Sequence, residues 1–243
     1  MKRTDHWTRH VPWMLAFAIA MAWLESAVVV YLRALYYPDG FAFPLVPIDR
    51  RLALAELGRE AATLVMLFAP GAVLTRRRIG RFAWFCVLFG VWDLFYYVWL
   101  KVLLDWPEGL LTPDILFLIP TPWVGPVLAP CLVSLGSAVF GLLLLDGPAH
   151  DRGHRFGPLA WLLLITGACS ILASFVVDPL EYMMVRGGGV WTLPPKTGGA
   201  LNGLGGYVPT SFPWWLFTLG SVLAVIGIRK ALVHKPERRS PVR

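Results

Sequence analysis

Seven ionisable side chains interrupt segments of the chain that are otherwise apolar. A charge at the centre of a bilayer costs at least about 2.5–3.5 kcal/mol, so ionisable residues inside a membrane usually face the protein interior and mark ligand or proton pathways. Carboxylates in such a setting can perform general acid–base chemistry on a lipid, a quinone or an isoprenoid, or can carry protons. The seven residues are Glu25, Arg33, Glu56, Arg59, Glu60, Asp93 and Lys101.

The spacing of the polar residues follows the turn of an α-helix. Residues that are three, four and seven positions apart lie on one helical face. Because charge exposed to lipid is costly, we expect each of these faces to point into the interior of a helical bundle. Three polar faces are present: one formed by Glu56, Arg59, Glu60 and Thr63, one by Asp93, Tyr97 and Lys101 with Tyr96 beside them, and one by Thr166, Ser170, Ser174 and Asp178.

The elements that must position these residues are long apolar segments. The chain is 57% hydrophobic and 15% charged, whereas an ordinary soluble domain is about 45–50% apolar and about 25% charged. A spanning helix needs about 20 predominantly apolar residues, and six segments meet or approach that length. They predict a single all-α membrane domain over residues 1–243, a bundle of about six transmembrane helices at 13–35, 54–74, 82–104, 123–145, 159–177 and 213–228.

Lysine and arginine are distributed unevenly between the two sides that this topology creates. Fifteen lie in the two tails and in the loops after the second and fourth spans, and four lie on the opposite side. Positive residues accumulate in cytoplasmic loops, which predicts a multi-pass protein of the plasma (inner) membrane with both termini in the cytoplasm. The same topology accounts for the net charge of +7, so we expect no nucleic-acid partner.

The opposite directions of successive helices bring the intramembrane charges to similar depths. At a rise of about 1.5 Å per residue, they fall between the midplane and the outer surface, which predicts a cavity in the outer half of the membrane. Glu25, Glu60, Asp93, Tyr97 and Lys101 are expected to converge on it. The candidate ligand- or proton-binding residues are Glu25, Arg59, Glu60, Asp93, Tyr96, Tyr97 and Lys101, with Arg33, Glu56, Asp178 and Glu181 as secondary candidates.

Two extracytoplasmic loops are long enough to cover such a cavity. The loop over 105–122 contains no positive charge, and Thr112 followed by Pro113 predicts the start of a short helix. The apolar residues that follow suggest that this helix lies in the membrane interface or folds back into the protein. The loop over 179–212 is rich in glycine and proline, and such a loop is either ordered and functional or a linker.

The sequence predicts no metal and no cofactor. All five histidines lie in predicted tails or loops, and the three cysteines lie in separate apolar segments, which disfavours haem, zinc and disulfides. The leading hypothesis is a charged pocket, open to the outside, that binds an amphipathic, lipid-like ligand or conducts protons. The protein would have membrane lipids and other membrane subunits as partners. The alternatives are an enzyme that acts on a lipid, quinone or isoprenoid, and a structural subunit whose charges only form ion pairs.

Overall fold

The computed structural model of this chain describes residues 7–119, 121–146, 156–185 and 204–233. Within these ranges there are six α-helices and one antiparallel pair of strands. The helices are α1 (Val11–Tyr36), α2 (Arg50–Leu74), α3 (Arg78–Leu104), α4 (Leu128–Asp146), α5 (Pro158–Val185) and α6 (Trp214–Val233), and the strands β1 (Pro113–Phe117) and β2 (Trp123–Pro126) lie between α3 and α4.

The six described helices are each long and apolar enough to cross a bilayer. Their lengths run from 19 to 28 residues, against the roughly 20 that a spanning helix requires. This is the architecture of a multi-pass membrane protein, and it confirms the six predicted helices. The bounds differ most at α5, which continues through Pro179 to Val185 and so contains the beginning of the predicted loop over 179–212. Most of the glycine-rich part of that loop lies outside the described residues.

Helix α3 occupies the centre of the bundle. Helices α1 and α2 pack on one part of its surface and α4 packs on another, while α5 and α6 form a pair that contacts α4 and the hairpin. Small residues allow the close approaches. Ala18, Ala22 and Ser26 are buried at four-residue intervals on α1, and Gly90 of α3 lies directly against the backbone of α4 at Ser134.

Helices α1 and α2 both contact α3 but make few backbone contacts with each other. The buried residues of α2 form one narrow stripe, and much of the remaining surface is apolar and exposed, as at Val65 and Val73. The stripe contains Glu56, Glu60 and Thr63. The polar face predicted for α2 therefore points toward the space between α1 and α3.

The prediction of a short helix that begins at Thr112 and Pro113 is wrong, because this region forms the β1–β2 hairpin. The Thr112 hydroxyl accepts a hydrogen bond from the Gly109 amide and so closes a turn, while the Thr112 carbonyl accepts one from Val127 across the hairpin. Pro113 has no N–H to donate and takes the first position of a strand, where proline is tolerated. Two of the four residue pairs are β-branched or aromatic, which favours a strand: Ile115 pairs with Val124 and Phe117 with Trp123.

The hairpin folds back into the helical bundle. The Phe117 ring packs on Trp92, in the middle of α3, and the Trp123 ring stacks on Phe175 of α5. Because β2 occupies Trp123–Pro126, α4 begins at Leu128, five residues after the predicted start of that span. The half of the bundle that contains the hairpin, which we call the hairpin half, also holds the end of α1, the beginning of α2 and the end of α3.

Candidate functional site

Helices α1, α2 and α3 and strand β1 surround a cavity of about 140 Å³ in the hairpin half. Eight of the eleven candidate residues line this charged cavity, and apolar and aromatic side chains complete its wall. The eight are Glu25, Arg33, Glu56, Arg59, Glu60, Asp93, Tyr96 and Tyr97, and the other lining residues include Val29, Leu32, Tyr36, Tyr37, Phe41, Ile48, Trp92, Asp114, Ile115, Leu116 and Leu118.

Arg59 connects α2 to α1 across the space between them. Its guanidinium forms an ion pair with Glu25 of α1 and a second one with Glu56, where the Nη2–Oε2 distance is 2.7 Å. The Thr63 hydroxyl donates to the other oxygen of Glu25 at 3.2 Å. This polar cluster therefore joins two helices whose backbones scarcely touch.

Arg33 connects α1 to the hairpin. Its Nη2 lies 3.4 Å from Oδ1 of Asp114, and its Cζ lies 3.8 Å from the ring centre of Trp106 and 4.4 Å from that of Phe41. Asp114 also accepts a hydrogen bond from the Tyr97 hydroxyl at 3.3 Å. Burial raises the pKa of the Asp114 carboxyl to about 6, although Arg33 and the hydrogen bonds act in the opposite direction.

Glu60 and Asp93 are buried carboxylates whose hydrogen bonds come from neutral donors, although Arg59 acts electrostatically on Glu60. Both oxygens of Glu60 accept from the Leu118 amide, at 2.9 and 3.0 Å, and Oδ2 of Asp93 accepts from the Ser134 hydroxyl at 2.7 Å. Within the described ranges neither carboxylate forms a salt bridge. They differ in this respect from Glu25, which Arg59 neutralises.

The wall of the cavity contains more acidic than basic groups. Five carboxylates face two guanidinium groups, which leaves an excess of three negative charges when all are ionised. Buried charge needs compensation by a partner, a proton or a bound ion. The acidic groups are Glu25, Glu56, Glu60, Asp93 and Asp114, and the basic ones are Arg33 and Arg59.

Three candidate residues lie away from this cavity. Lys101 was expected on its wall, and that placement is wrong, because Nζ instead donates to the carbonyls of Asp105 and Pro107 and pairs with the Asp105 carboxylate at 2.7 Å. A lysine in the last turn of a helix has the free carbonyls of that terminus within reach. Asp178 lines a separate cavity near α5, and Glu181 is exposed.

The separate cavity near α5 has a volume of about 260 Å³. Its carboxylate, Asp178, accepts hydrogen bonds from the hydroxyls of Tyr207 and Thr210, the latter at 2.7 Å. Pro113 and Gly125 of the hairpin form part of its wall. The hairpin thus lies between the two cavities, and Asp178 does not share a site with the carboxylates of α1, α2 and α3.

Asp114 is the site residue that the sequence analysis missed. It was assigned to a loop, whereas the hairpin carries it into the bundle and leaves only 2% of its surface exposed. The available signal was an acidic residue directly before the apolar run Ile115–Phe117 in a loop without positive charge. Three aromatic residues of the wall were also not predicted, because they lie at or beyond the end of α1: Tyr36, Tyr37 and Phe41.

The chemistry that this wall supports is acid–base chemistry or the binding of a charged group. Carboxylates lie beside the phenols of Tyr96 and Tyr97, and these groups can exchange protons or accept hydrogen bonds from a ligand. No group of three His, Cys, Asp or Glu side chains that could hold a metal ion is found among the described residues. Comparison with known proteins identifies no matching family model, curated protein or solved structure.

Proposed function

We propose that this protein binds an amphipathic, lipid-like ligand whose polar head enters the charged cavity. The observation that carries the proposal is a cavity lined by charged groups and located between two membrane-spanning helices, α1 and α2, that make few backbone contacts with each other. Apolar side chains such as Val29, Leu32 and Leu118 share the wall with the charges. A ligand with an apolar chain and a polar head matches both parts of that wall, and the space between α1 and α2 gives it a lateral route from the bilayer.

The second candidate function is proton conduction. It is favoured by Glu60 and Asp93, which are buried and form no salt bridge among the described residues. Ionisable residues placed in this way inside membranes often carry protons. The phenols of Tyr96 and Tyr97 line the same cavity and would extend a relay between the two carboxylates.

We also propose an orientation and a location for the molecule. Both termini lie in the cytoplasm of a cell whose plasma (inner) membrane holds the protein, and the hairpin half faces away from the cytoplasm. The support is the distribution of Lys and Arg, fifteen against four, between the two sides of the six helices. The broad apolar surface of α2, exposed at Val65 and Val73, suits contact with lipid or with another subunit of a larger membrane complex.

The orientation predicts the behaviour of topology reporters. A reporter that is active only outside the cytoplasm should be silent when fused after Arg243 and active when inserted near Gly199. A cytoplasmic reporter at the same two positions is the control and should give the opposite result. Activity of the first reporter at Arg243 together with silence at Gly199 would overturn the proposed orientation.

The ligand proposal predicts that filling the cavity removes the bound ligand. Leu32→Trp adds an indole to the cavity wall, whereas Leu35→Trp makes the same change one turn further along α1, at a side chain that is 69% exposed. After gentle extraction from native membranes, native mass spectrometry should find a lipid-like molecule retained by the wild type and by Leu35→Trp. The Leu32→Trp variant should lose most of it.

Two outcomes of this comparison would count against ligand binding. Equal retention by the two tryptophan variants would mean that the retained molecule lies outside the cavity. The absence of any retained molecule from the wild type, together with unchanged stability of Leu32→Trp, would favour the structural role, in which the charges only form ion pairs.

A further inference from the structure

The two guanidinium groups of the charged cavity already have acidic partners. Arg59 is shared between Glu25 and Glu56, and Arg33 pairs with Asp114. The Arg33 side chain is also held between two aromatic rings, and the residue is 8% exposed. The positive charge of each guanidinium is therefore already offset by a carboxylate before any ligand enters.

The carboxylates of Glu60 and Asp93, in contrast, form no salt bridge among the described residues, and Arg59, which acts electrostatically on Glu60, is already paired with Glu25 and Glu56. Glu60 is 4% exposed and Asp93 is 8% exposed, and their hydrogen bonds come from a backbone amide and a hydroxyl. A buried carboxylate that forms no salt bridge is costly when ionised, and a proton or a bound positive charge lowers that cost. Two such groups on one cavity wall favour a ligand that brings the positive charge with it.

Aromatic side chains on the same wall also suit a positive group. The faces of aromatic rings attract ammonium groups, and rings arranged around a cavity are a recurrent means of binding quaternary ammonium ligands. The cavity volume of about 140 Å³ is many times the roughly 10–15 Å³ that one water needs. It therefore accommodates a small head group of several atoms. Phe41 already packs on Arg33, and the other aromatic residues are Tyr36, Tyr37, Trp92, Tyr96 and Tyr97.

A second observation on the same wall points to a ligand. Nη1 of Arg33 is buried and has no hydrogen-bond partner among the described residues. Such a donor normally has an acceptor. Because Nη2 of the same guanidinium already pairs with Asp114, a neutral oxygen, such as an ester or hydroxyl oxygen of the ligand, satisfies Nη1 without adding negative charge.

The geometry points to a positively charged head, an ammonium group carried on an apolar chain, as the chemical class that the charged cavity binds. This inference rests on the proposed function, since it assigns the charge of the ligand that the cavity would hold. An anionic head of similar size would meet an excess of carboxylates, and the juxtaposition of like charges costs several kcal/mol.

The test compares two probes that differ only in their heads. Dodecyltrimethylammonium and dodecyl phosphate are titrated into the full-length protein in uncharged detergent, and binding is followed by native mass spectrometry. The ammonium probe should bind at least about tenfold more tightly, which corresponds to about 1.4 kcal/mol. Glu60→Gln and Asp93→Asn should each weaken binding of the ammonium probe, while Asp105→Asn, at a carboxylate that is 93% exposed, should leave it unchanged.

The outcomes separate this inference from the function on which it rests. If dodecyl phosphate binds as tightly as the ammonium probe and Leu32→Trp weakens both, the cavity binds amphiphiles and the inference about charge is overturned. If Leu32→Trp weakens neither probe, the proposed function fails. An ammonium preference that persists unchanged in both Glu60→Gln and Asp93→Asn also overturns the inference. The comparison of the two heads on the wild type needs no variant, so a substitution that prevents folding does not remove the test.

Discussion

Replacing Arg59 by glutamine should lower the free energy of unfolding by about 3 kcal/mol, as measured by denaturation in mixed micelles. Removing one partner of a buried ion pair typically costs about 3–5 kcal/mol, because the remaining charge stays buried without compensation. Arg59 would leave two carboxylates in that condition, Glu25 and Glu56. We expect the lower end of the range since the Arg59 side chain is 22% exposed.

The matched control for Arg59→Gln is Lys101→Gln. Lys101 pairs with the carboxylate of Asp105, but its side chain is 51% exposed and that of Asp105 is 93% exposed. Exposed ion pairs contribute at most about 1 kcal/mol, so the control should change the free energy of unfolding by no more than that. Equal effects of the two substitutions would show that Arg59 is solvated and that the ion pairs do not join α1 to α2.

A further variant separates the effect of buried charge on stability from the effect of side-chain packing at Arg59. Replacing Arg59, Glu25 and Glu56 together by glutamine removes the uncompensated charge while keeping polar side chains of similar length. The loss of buried charge should recover much of the stability that Arg59→Gln alone removes, because the penalty arises from the stranded carboxylates and not from the missing attraction. A triple variant as unstable as Arg59→Gln would assign the loss to packing.

The direction of the polar face of α2 could be predicted from the sequence because it is determined by the free-energy cost of exposing charge to lipid. Glu56, Glu60 and Thr63 are buried on one stripe, as their spacing indicated, since the alternative is charge exposed to lipid. Asp93 and Tyr97 on α3 follow the same rule. Lys101 does not, because a long flexible side chain in the last turn of a helix reaches polar carbonyls beyond it.

The hairpin could not be predicted from the same kind of pattern. A short apolar run such as Trp123–Pro126 has the composition of either a strand or the start of a spanning helix, and periodicity alone does not distinguish them. Strand pairing depends on a partner elsewhere in the chain, here Pro113–Phe117. Because Asp114 reaches the charged cavity only through this pairing, its contact with Arg33 could not be predicted from the sequence either.

The candidate site depends both on residue spacing within single helices and on contacts between those helices and the hairpin. Glu60 is placed by the helical spacing of α2, but the amide that its carboxylate accepts from belongs to Leu118, directly after β1. Asp114, at the other end of the same strand, pairs with Arg33 of α1. Strand β1 therefore forms one wall of the cavity and is held there by a polar contact at each end. Neither contact can be predicted from the sequence of one helix.

Helix α4 packs on α3 and contributes Ser134, which donates to Asp93 of the cavity wall. Gly90→Ala should disrupt this packing. A Cβ atom at position 90 would lie 2.2 Å from the carbonyl oxygen of Ser134 and 2.8 Å from Cβ of Ala138, so the two helices must separate locally. Overpacking of this kind costs about 1–3 kcal/mol, measured again by denaturation in mixed micelles. The displacement should also weaken the hydrogen bond from Ser134 to Asp93.

The control for Gly90→Ala is Gly136→Ala on α4, where a Cβ atom would have no neighbour within 4 Å. Both substitutions gain about 0.5–1 kcal/mol from replacing glycine inside a helix, so the difference between them isolates the contact between α3 and α4. We therefore expect Gly136→Ala to be neutral or stabilising while Gly90→Ala is destabilising. Equal stability of the two variants would show that α3 and α4 do not meet closely at Gly90.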